Sequence, residues 1–395
     1  MTSFLPLRYA GVTAPAGFRA AGIHAGIKAS GKKDLTLVVN DGPLDVAAGV
    51  FTTNKVKAAP VLWSQQVLTQ HRARAVVLNS GCANACTGPE GFQDTHATAE
   101  KVAEVLGCGA GEVAVCSTGL IGERIPMDAL LPGIDAVSNA LASTNEAGID
   151  AAFAVMTTDS VPKYAELSHE PGWSVGGFAK GAGMCAPNMA TMLSVITTDA
   201  VIDAELADAA LRAAVGTTFN RLTVDSSTST NDTVLLLASG ASGVTPTADE
   251  FTGVLTAVCM DLVRQLQVDA EGVTKHVSVT VSGATDDADA ERVARAVADD
   301  PLVKTAFFGS DPNWGRIAMA VGKADAAVDP DRLDITLNGV KVCAGGVRGE
   351  DRSLADLTGK EITVLVELGL GAGTATLLST DLSHAYVEEN SAYSS

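Results

Sequence analysis

One stretch combines residue types that can do chemistry: Lys180-Gly181-Ala182-Gly183-Met184-Cys185-Ala186-Pro187-Asn188-Met189-Ala190-Thr191-Met192. Residues 173–179 before it alternate like a strand, and residues 192–198 after it form a second, more apolar one. Glycines, a proline and an asparagine lie between, and these are turn formers. A lysine entering such a loop can hold an anion. A threonine where a strand begins can be a nucleophile if a base is near. The alternative is a tight loop between core strands in which Lys180 and Thr191 are incidental. A phosphate loop fits poorly, because its lysine follows the second glycine and a helix comes next.

Three further stretches could contribute. Residues 113–116 form a buried-strand pattern running into Ser117-Thr118-Gly119-Leu120-Ile121-Gly122. Backbone N–H groups of such a turn can converge on an anion, and Thr118 can add a hydroxyl; an ordinary strand-to-helix turn would read the same way. Glu271 stands just before Gly272 at the end of the longest helical pattern, 247–267. A carboxylate is electrostatically disfavoured at a helix C-terminus, which points to a purpose. Cys82 and Cys86 with His96 invite a zinc reading, but the spacing fits no zinc template and no fourth ligand is near, so free thiols are expected. Gly369-x-Gly371-x-Gly373 lacks the last glycine of a dinucleotide fingerprint and leads into a β-like run, so a hairpin turn is expected there.

The elements that must position these residues are many and short. Strand patterns cover residues 35–39, 46–51, 75–78, 233–238, 277–281, 303–308, 333–337, 340–343, 362–368 and 375–379, and 162–167 pairs with 173–179 as a hairpin. Asn338-Gly339 makes 333–343 another hairpin. Helical patterns cover 60–69, 89–106, 127–142, 204–219, 286–298 and 317–321. The run 223–233, TVDSSTSTNDT, is too polar for a core unless something polar meets it. The composition shifts near 276, which predicts a first domain of residues 1–275 and a smaller α+β domain of 276–395. The final residues 386–395 form a polar tail of a kind that is ordinarily disordered.

Over 395 residues, 47% are hydrophobic but only 4% aromatic, and 39 are glycine. The core must therefore be built from Ala, Val, Leu and Ile. A net charge of −19 argues against a nucleic-acid footprint. No apolar run reaches membrane-spanning length, and the first residues lack the basic-then-apolar order of a signal peptide. Seven scattered cysteines suit reduced cytoplasmic thiols.

Eight blocks in order, NSGCANACTG, STGLIGERIPM, MTTDSVPK, KGAGMCAPNMATML, TSTNDT, DAEGVTK, SDPNWGR and YVEENSAYSS, make the chain resemble the ornithine acetyltransferase (glutamate N-acetyltransferase) family over essentially its whole length. The resemblance implies an α/β fold, a layered α-β-β-α-like sandwich of the N-terminal-nucleophile type with a C-terminal α+β domain. It implies self-cleavage between Ala190 and Thr191, with Thr191 as the nucleophile and Thr118 and Gly119 as the oxyanion hole. It places Thr157, Lys180, Thr191, Glu271, Asn390 and Ser395 around the substrate, so that the tail would line the site. The implied substrates are N2-acetylornithine and glutamate, with acetyl-CoA as a further candidate donor and no cofactor or metal. The implied assembly is a heterotetramer of two α and two β pieces in the cytoplasm. Two positions depart from the family pattern: Cys185, where an aliphatic residue is usual, and Cys82, where a small or polar one is expected. Two other readings remain: an N-terminal-threonine amidase or aminopeptidase using water as acceptor, and a binding protein with a silenced site.

Overall fold

The computed structural model describes residues 10–170, 172–184 and 192–392. The chain forms two compact units, one of residues 10–220 and 227–266, the other of 221–226 and 267–392.

Among the described residues the first unit has nine strands: Phe18–Ile23 (β1), Leu35–Asn40 (β2), Val46–Phe51 (β3), Ala75–Asn79 (β4), Val113–Ser117 (β5), Lys163–His169 (β6), Trp173–Lys180 (β7), Leu193–Thr198 (β8) and Thr233–Ala238 (β9). Its helices are Ala59–Val67 (α1), Gly88–Leu106 (α2), Met127–Asn139 (α3), Asn145–Ala154 (α4), Ala204–Thr217 (α5) and Ala248–Val268 (α6), the last ending past the boundary. Several begin at a capping side chain. Asp203 accepts the Leu206 amide (2.8 Å) and Thr144 that of Ala147 (3.3 Å).

The strands make two sheets, β1-β2-β4-β5 and β3-β9-β8-β7-β6. β2, β4, β5, β7, β8 and β9 are buried at every position, as strands covered on both faces are. Val38, Val76, Leu78 and Cys116 of one sheet meet Phe178, Val195, Leu235 and Leu237 of the other in a shared core. The opposite face of the first sheet packs Leu37, Val77 and Val115 on Val102, Leu130 and Ile134 of α2 and α3. The second sheet is backed by α5 on β3 and β9, and by α6, whose Phe251 lies against Trp173 of β7 (centroids 5.8 Å). The layers thus run helix, sheet, sheet, helix, the α/β sandwich expected from the sequence.

With few aromatics to fill space, the layers close by near contact of backbones. A Cβ on Gly22 of β1 would stand 2.0 Å from the Asp150 carbonyl oxygen of α4, and one on Gly148 would stand 1.9 Å from that of Ala10.

The second unit holds His276–Ala284 (β10), Asp334–Leu337 (β11), Val340–Ala344 (β12), Val347–Arg348 (β13), Glu361–Glu367 (β14) and Gly373–Thr380 (β15), in the order β13-β12-β11-β14-β10-β15. Asp287–Ala298 (α7), Pro301–Phe308 (α8) and Trp314–Gly322 (α9) supply Val293, Val303 and Ile317 to its core, and His384–Ala392 (α10) follows the last strand.

Three expectations fail here. Residues 303–308 are helical, because Asp300 caps the Leu302 and Val303 amides (2.8 and 3.2 Å) and Pro301 presets the first turn. Residues 369–373 are not a hairpin turn, since β10 lies between β14 and β15, parallel to the first and antiparallel to the second. The connection instead crosses the end of β10, where the Leu370 and Gly371 amides donate to the Gly283 carbonyl (2.7 and 3.0 Å). A Cβ on Gly283 would stand 2.9 Å from the Gly369 nitrogen. Finally, residues 384–392 of the polar tail are a helix.

If backbone contact sets the layer spacing, Gly22→Ala should cost about 1–3 kcal/mol in urea unfolding. Gly253→Ala, on α6 with open space at its Cβ position, should instead gain up to about 1 kcal/mol. Equal shifts would rule out the packing explanation.

Candidate active site

Three adjacent strands of the second sheet begin or end in one row. Lys180, the last residue of β7, pairs with Leu193, the first of β8, which pairs with Thr233, the first of β9. Neighbouring strands lie about 4.8 Å apart, so this row gathers the segments on either side of the lysine-to-threonine loop. Ala190, Thr191 and Cys185 lie outside the described residues, as does Ser395. Met192, the residue after Thr191, is held from both directions. Its amide donates to Asp232 Oδ1 (3.0 Å) and its carbonyl accepts the Thr233 amide (3.1 Å).

Lys180 is almost wholly buried. Its Nζ donates to Thr157 Oγ1 (3.2 Å), and the Thr157 amide donates to Asp159 Oδ2 (3.0 Å). Asp159 Oδ1 accepts the Gly181 amide (2.7 Å) and Lys163 Nζ (2.5 Å). Burial alone would raise the Asp159 pKa, but the charges of Lys163 and Lys180 outweigh it and hold the carboxyl below its usual range. Nearby, Lys28 donates to the carbonyls of Met156 (2.5 Å) and Lys33 (3.3 Å). Burial, aided by the Lys180 charge and opposed by Asp34, pushes Lys28 down to about 8. Lys28, Phe153, Met156 and Thr157 line a cleft of about 530 Å³. An anionic group reaching Thr157 from that cleft would meet Lys28, Lys32 and Lys33, with Asp150 and Asp159 opposing them.

The Thr118–Gly119 turn follows β5 at the end of the first sheet. The Thr118 amide is already engaged by the Asn79 carbonyl (3.0 Å). The donors left for an oxyanion are therefore the Thr118 hydroxyl and the Gly119 N–H. Gly119 has φ +132°, and a Cβ there would stand 2.7 Å from the Cys82 nitrogen. The turn thus needs glycine on both conformational and steric grounds. Asn231 ties it to the second sheet, donating from Nδ2 to the carbonyls of Ser117 (2.8 Å) and Ala83 (2.7 Å). Cys82 is buried with its thiol on the Glu123 carbonyl (2.9 Å), and burial raises its pKa. The His96 ring lies against Trp63 (centroids 5.0 Å).

Glu271 and Asn390 belong to the second unit, where the structure brings them together. Asn390 Nδ2 donates to Glu271 Oε2 (2.8 Å) and to the Tyr386 carbonyl (3.0 Å). Gly272 has φ +61°, and a Cβ there would stand 2.2 Å from the Tyr386 nitrogen, so α10 sits directly on this turn.

Asp159, Lys163, Asn231 and Asp232 were not singled out from the sequence, although MTTDSVPK and TSTNDT contain them. The available signal was a charged or amide residue at the doorstep of an apolar strand.

Comparison with known proteins decides the family, since the ArgJ family model matches residues 19–395. The chain belongs to the ArgJ family. Among curated relatives, the "Arginine biosynthesis bifunctional protein ArgJ" of Mycolicibacterium paratuberculosis is 62% identical over 394 residues, covering 98% of both chains. The protein of that name in Streptomyces coelicolor is 58% identical over 384 residues, covering 97% of this chain and all of its own. A crystal structure of ornithine acetyltransferase complexed with ornithine, from Mycobacterium tuberculosis, is 64% identical, with a TM-score of 0.46, covering 47% of this chain and 98% of its own. Among the described residues of this ArgJ chain, no helix is long and apolar enough to cross a membrane, and no side chains cluster as a metal site.

Two outcomes follow from the buried charges. Lys163→Met leaves Asp159 short of its nearest cation and should cost about 3–5 kcal/mol in urea unfolding. Because the Asp159 pKa is depressed on folding, its contribution is present above about pH 4 and is lost as pH falls through the lower folded value. The stability gap between wild type and Asp159→Asn should therefore narrow below about pH 4; a gap independent of pH would contradict the assignment.

Proposed function

We propose that this chain is a self-processing acetyltransferase that moves the acetyl group of N2-acetylornithine to glutamate through an acetyl ester on Thr191. The carrying observation is the row of Lys180, Leu193 and Thr233, which frames the loop holding Thr191 with a buried lysine on one side and a buried carboxyl on the other. Cleavage after Ala190 frees the Thr191 α-amine, whose ordinary pKa of about 8 suits it to take the hydroxyl proton and return it.

The hydroxyl oxygen attacks the acetyl carbonyl, and the Thr118 hydroxyl and Gly119 N–H receive the oxyanion. Ornithine departs with the proton. The glutamate amine then attacks the ester, and N-acetylglutamate leaves. Lys180 suits the α-carboxylate common to both substrates, and Glu271 suits the ornithine ammonium. Acetyl-CoA is a second candidate donor to the same threonine. The processed protein would assemble from two α and two β pieces in the cytoplasm.

Denaturing mass spectrometry before and after exposure to N2-acetylornithine tests the scheme. The wild type should give two pieces, the one beginning at Thr191 gaining one acetyl group. Thr191→Ala should remain a single chain of 40.2 kDa and stay unlabelled; efficient processing of that variant would place the nucleophile elsewhere. Thr118→Val should lower kcat by about 100- to 1000-fold with a much smaller change in KM. Acetyl release to water at the same rate with and without glutamate would make the protein an amidase instead.

A further inference from the structure

Asp232 is the most anomalous side chain near this site. It is completely buried where β9 begins. Oδ1 accepts the Met192 amide at 3.0 Å, whereas Oδ2 has no hydrogen-bond partner among the described residues. Buried polar atoms are rarely left in this way, and each exception calls for an explanation. Burial drives the Asp232 pKa well above the carboxylate range. The Met192 amide, the Lys180 charge from β7 and the adjacent Ser229 oppose that rise without overcoming it. The backbone and side-chain groups of Ser229 favour the anion, while its Oγ also accepts the Asn231 amide (3.1 Å). Burial therefore favours the neutral acid at Asp232, and its Oδ2 is uncommitted among the described residues.

Covalent geometry says what lies within reach. Two bonds to the Thr191 α-carbon and one across the peptide link separate the Thr191 and Met192 nitrogens, so they are within about 4 Å of each other. The carboxyl that holds the Met192 amide thus grips the chain one residue after the Thr191 nitrogen, the atom released if the Ala190–Thr191 bond is cut.

We propose that Asp232 donates the proton to the Thr191 nitrogen as the Ala190–Thr191 bond breaks, and afterwards holds the amine so formed. This rests on the reading of Thr191 as the self-cleaving nucleophile. In the first step the Thr191 oxygen bonds to the Ala190 carbonyl carbon and the carbon–nitrogen bond breaks. The nitrogen takes the Asp232 proton, and the hydroxyl proton restores Asp232, so one proton has moved from oxygen to nitrogen. Water then hydrolyses the ester, giving the Ala190 carboxyl and the Thr191 hydroxyl. Oδ2 gains a partner in the new amine. The two groups share one proton, so the amine remains able to act as a base for the hydroxyl.

The test is a time course of self-cleavage by intact mass for wild type, Thr191→Ala, Asp232→Asn and the double variant, with melting temperatures for the two uncleavable chains. Asparagine keeps an acceptor for the Met192 amide but has no proton to give. Asp232→Asn should slow cleavage by about 100-fold or more, and in the Thr191→Ala background it should leave the melting temperature unchanged or raise it. Cleavage of Asp232→Asn at the wild-type rate overturns the proposal while leaving Thr191 as nucleophile. A melting temperature several degrees lower in the double variant assigns the carboxyl to stability and also overturns it. A wild type that never splits removes the underlying reading instead.

Discussion

The site depends first on keeping one carboxylate charged where no water reaches it. Asp159 is buried between Lys163, which opens β6, and Lys180, which closes β7, and it accepts the amides of Thr157 and Gly181. An isolated buried charge would cost far more than a domain of this size can absorb, so it must be paired and hydrogen-bonded. Meeting that demand fixes four backbone positions at once: the turn at Thr157, the start of β6, the end of β7 and the entry to the loop beyond it. Antiparallel register places both lysines at the same end of the sheet, so one carboxylate serves both.

A second set of polar contacts joins the two sheets at that end. Asn231 and Asp232 are adjacent, and their side chains do different things. The amide reaches across to the carbonyls of Ser117 and Ala83, while the carboxyl holds the start of β8. The surrounding run resolves its apparent conflict between polarity and burial in the same way. Thr52 Oγ1 donates to the Ser229 carbonyl, and the Ala58 amide donates to that of Thr230. Residues 229–233 are buried because the groups they meet are themselves polar.

Elements made of unbroken apolar runs or strong helical periodicity were readable from the sequence, because burial on both faces or on one stripe leaves a local pattern. The failures came where the deciding interaction was elsewhere. Val303 to Phe308 looks like a strand until Asp300 and Pro301 are recognised as a helix start. The glycines at 369, 371 and 373 mark a tight passage, but only the position of β10 shows that the chain crosses a strand there rather than doubling back. The tail helix finds its place against Gly272, more than a hundred residues earlier. Thr118, Lys180 and Glu271 were reachable as candidates through the order of the motif blocks. Asp159 and Asp232 were not, because a carboxylate in a sequence does not reveal that it will be buried.

The strand order of the second sheet, β3-β9-β8-β7-β6, has a consequence for the chain after a cut at Ala190–Thr191. β3, β6 and β7 would lie on one fragment, and β8 and β9 on the other. The fragments are interleaved, with β8 and β9 hydrogen-bonded on both outer edges to strands from the partner piece. Pulling them apart would strip two full ladders of backbone hydrogen bonds and open the shared core, so dissociation and denaturation become one event. In the intact chain the two halves stay tethered, so their meeting would be first order. The nicked protein, once unfolded, has to find its other half by diffusion, so its recovery is second order in concentration. Self-processing would then be a one-way step in folding as well as in chemistry.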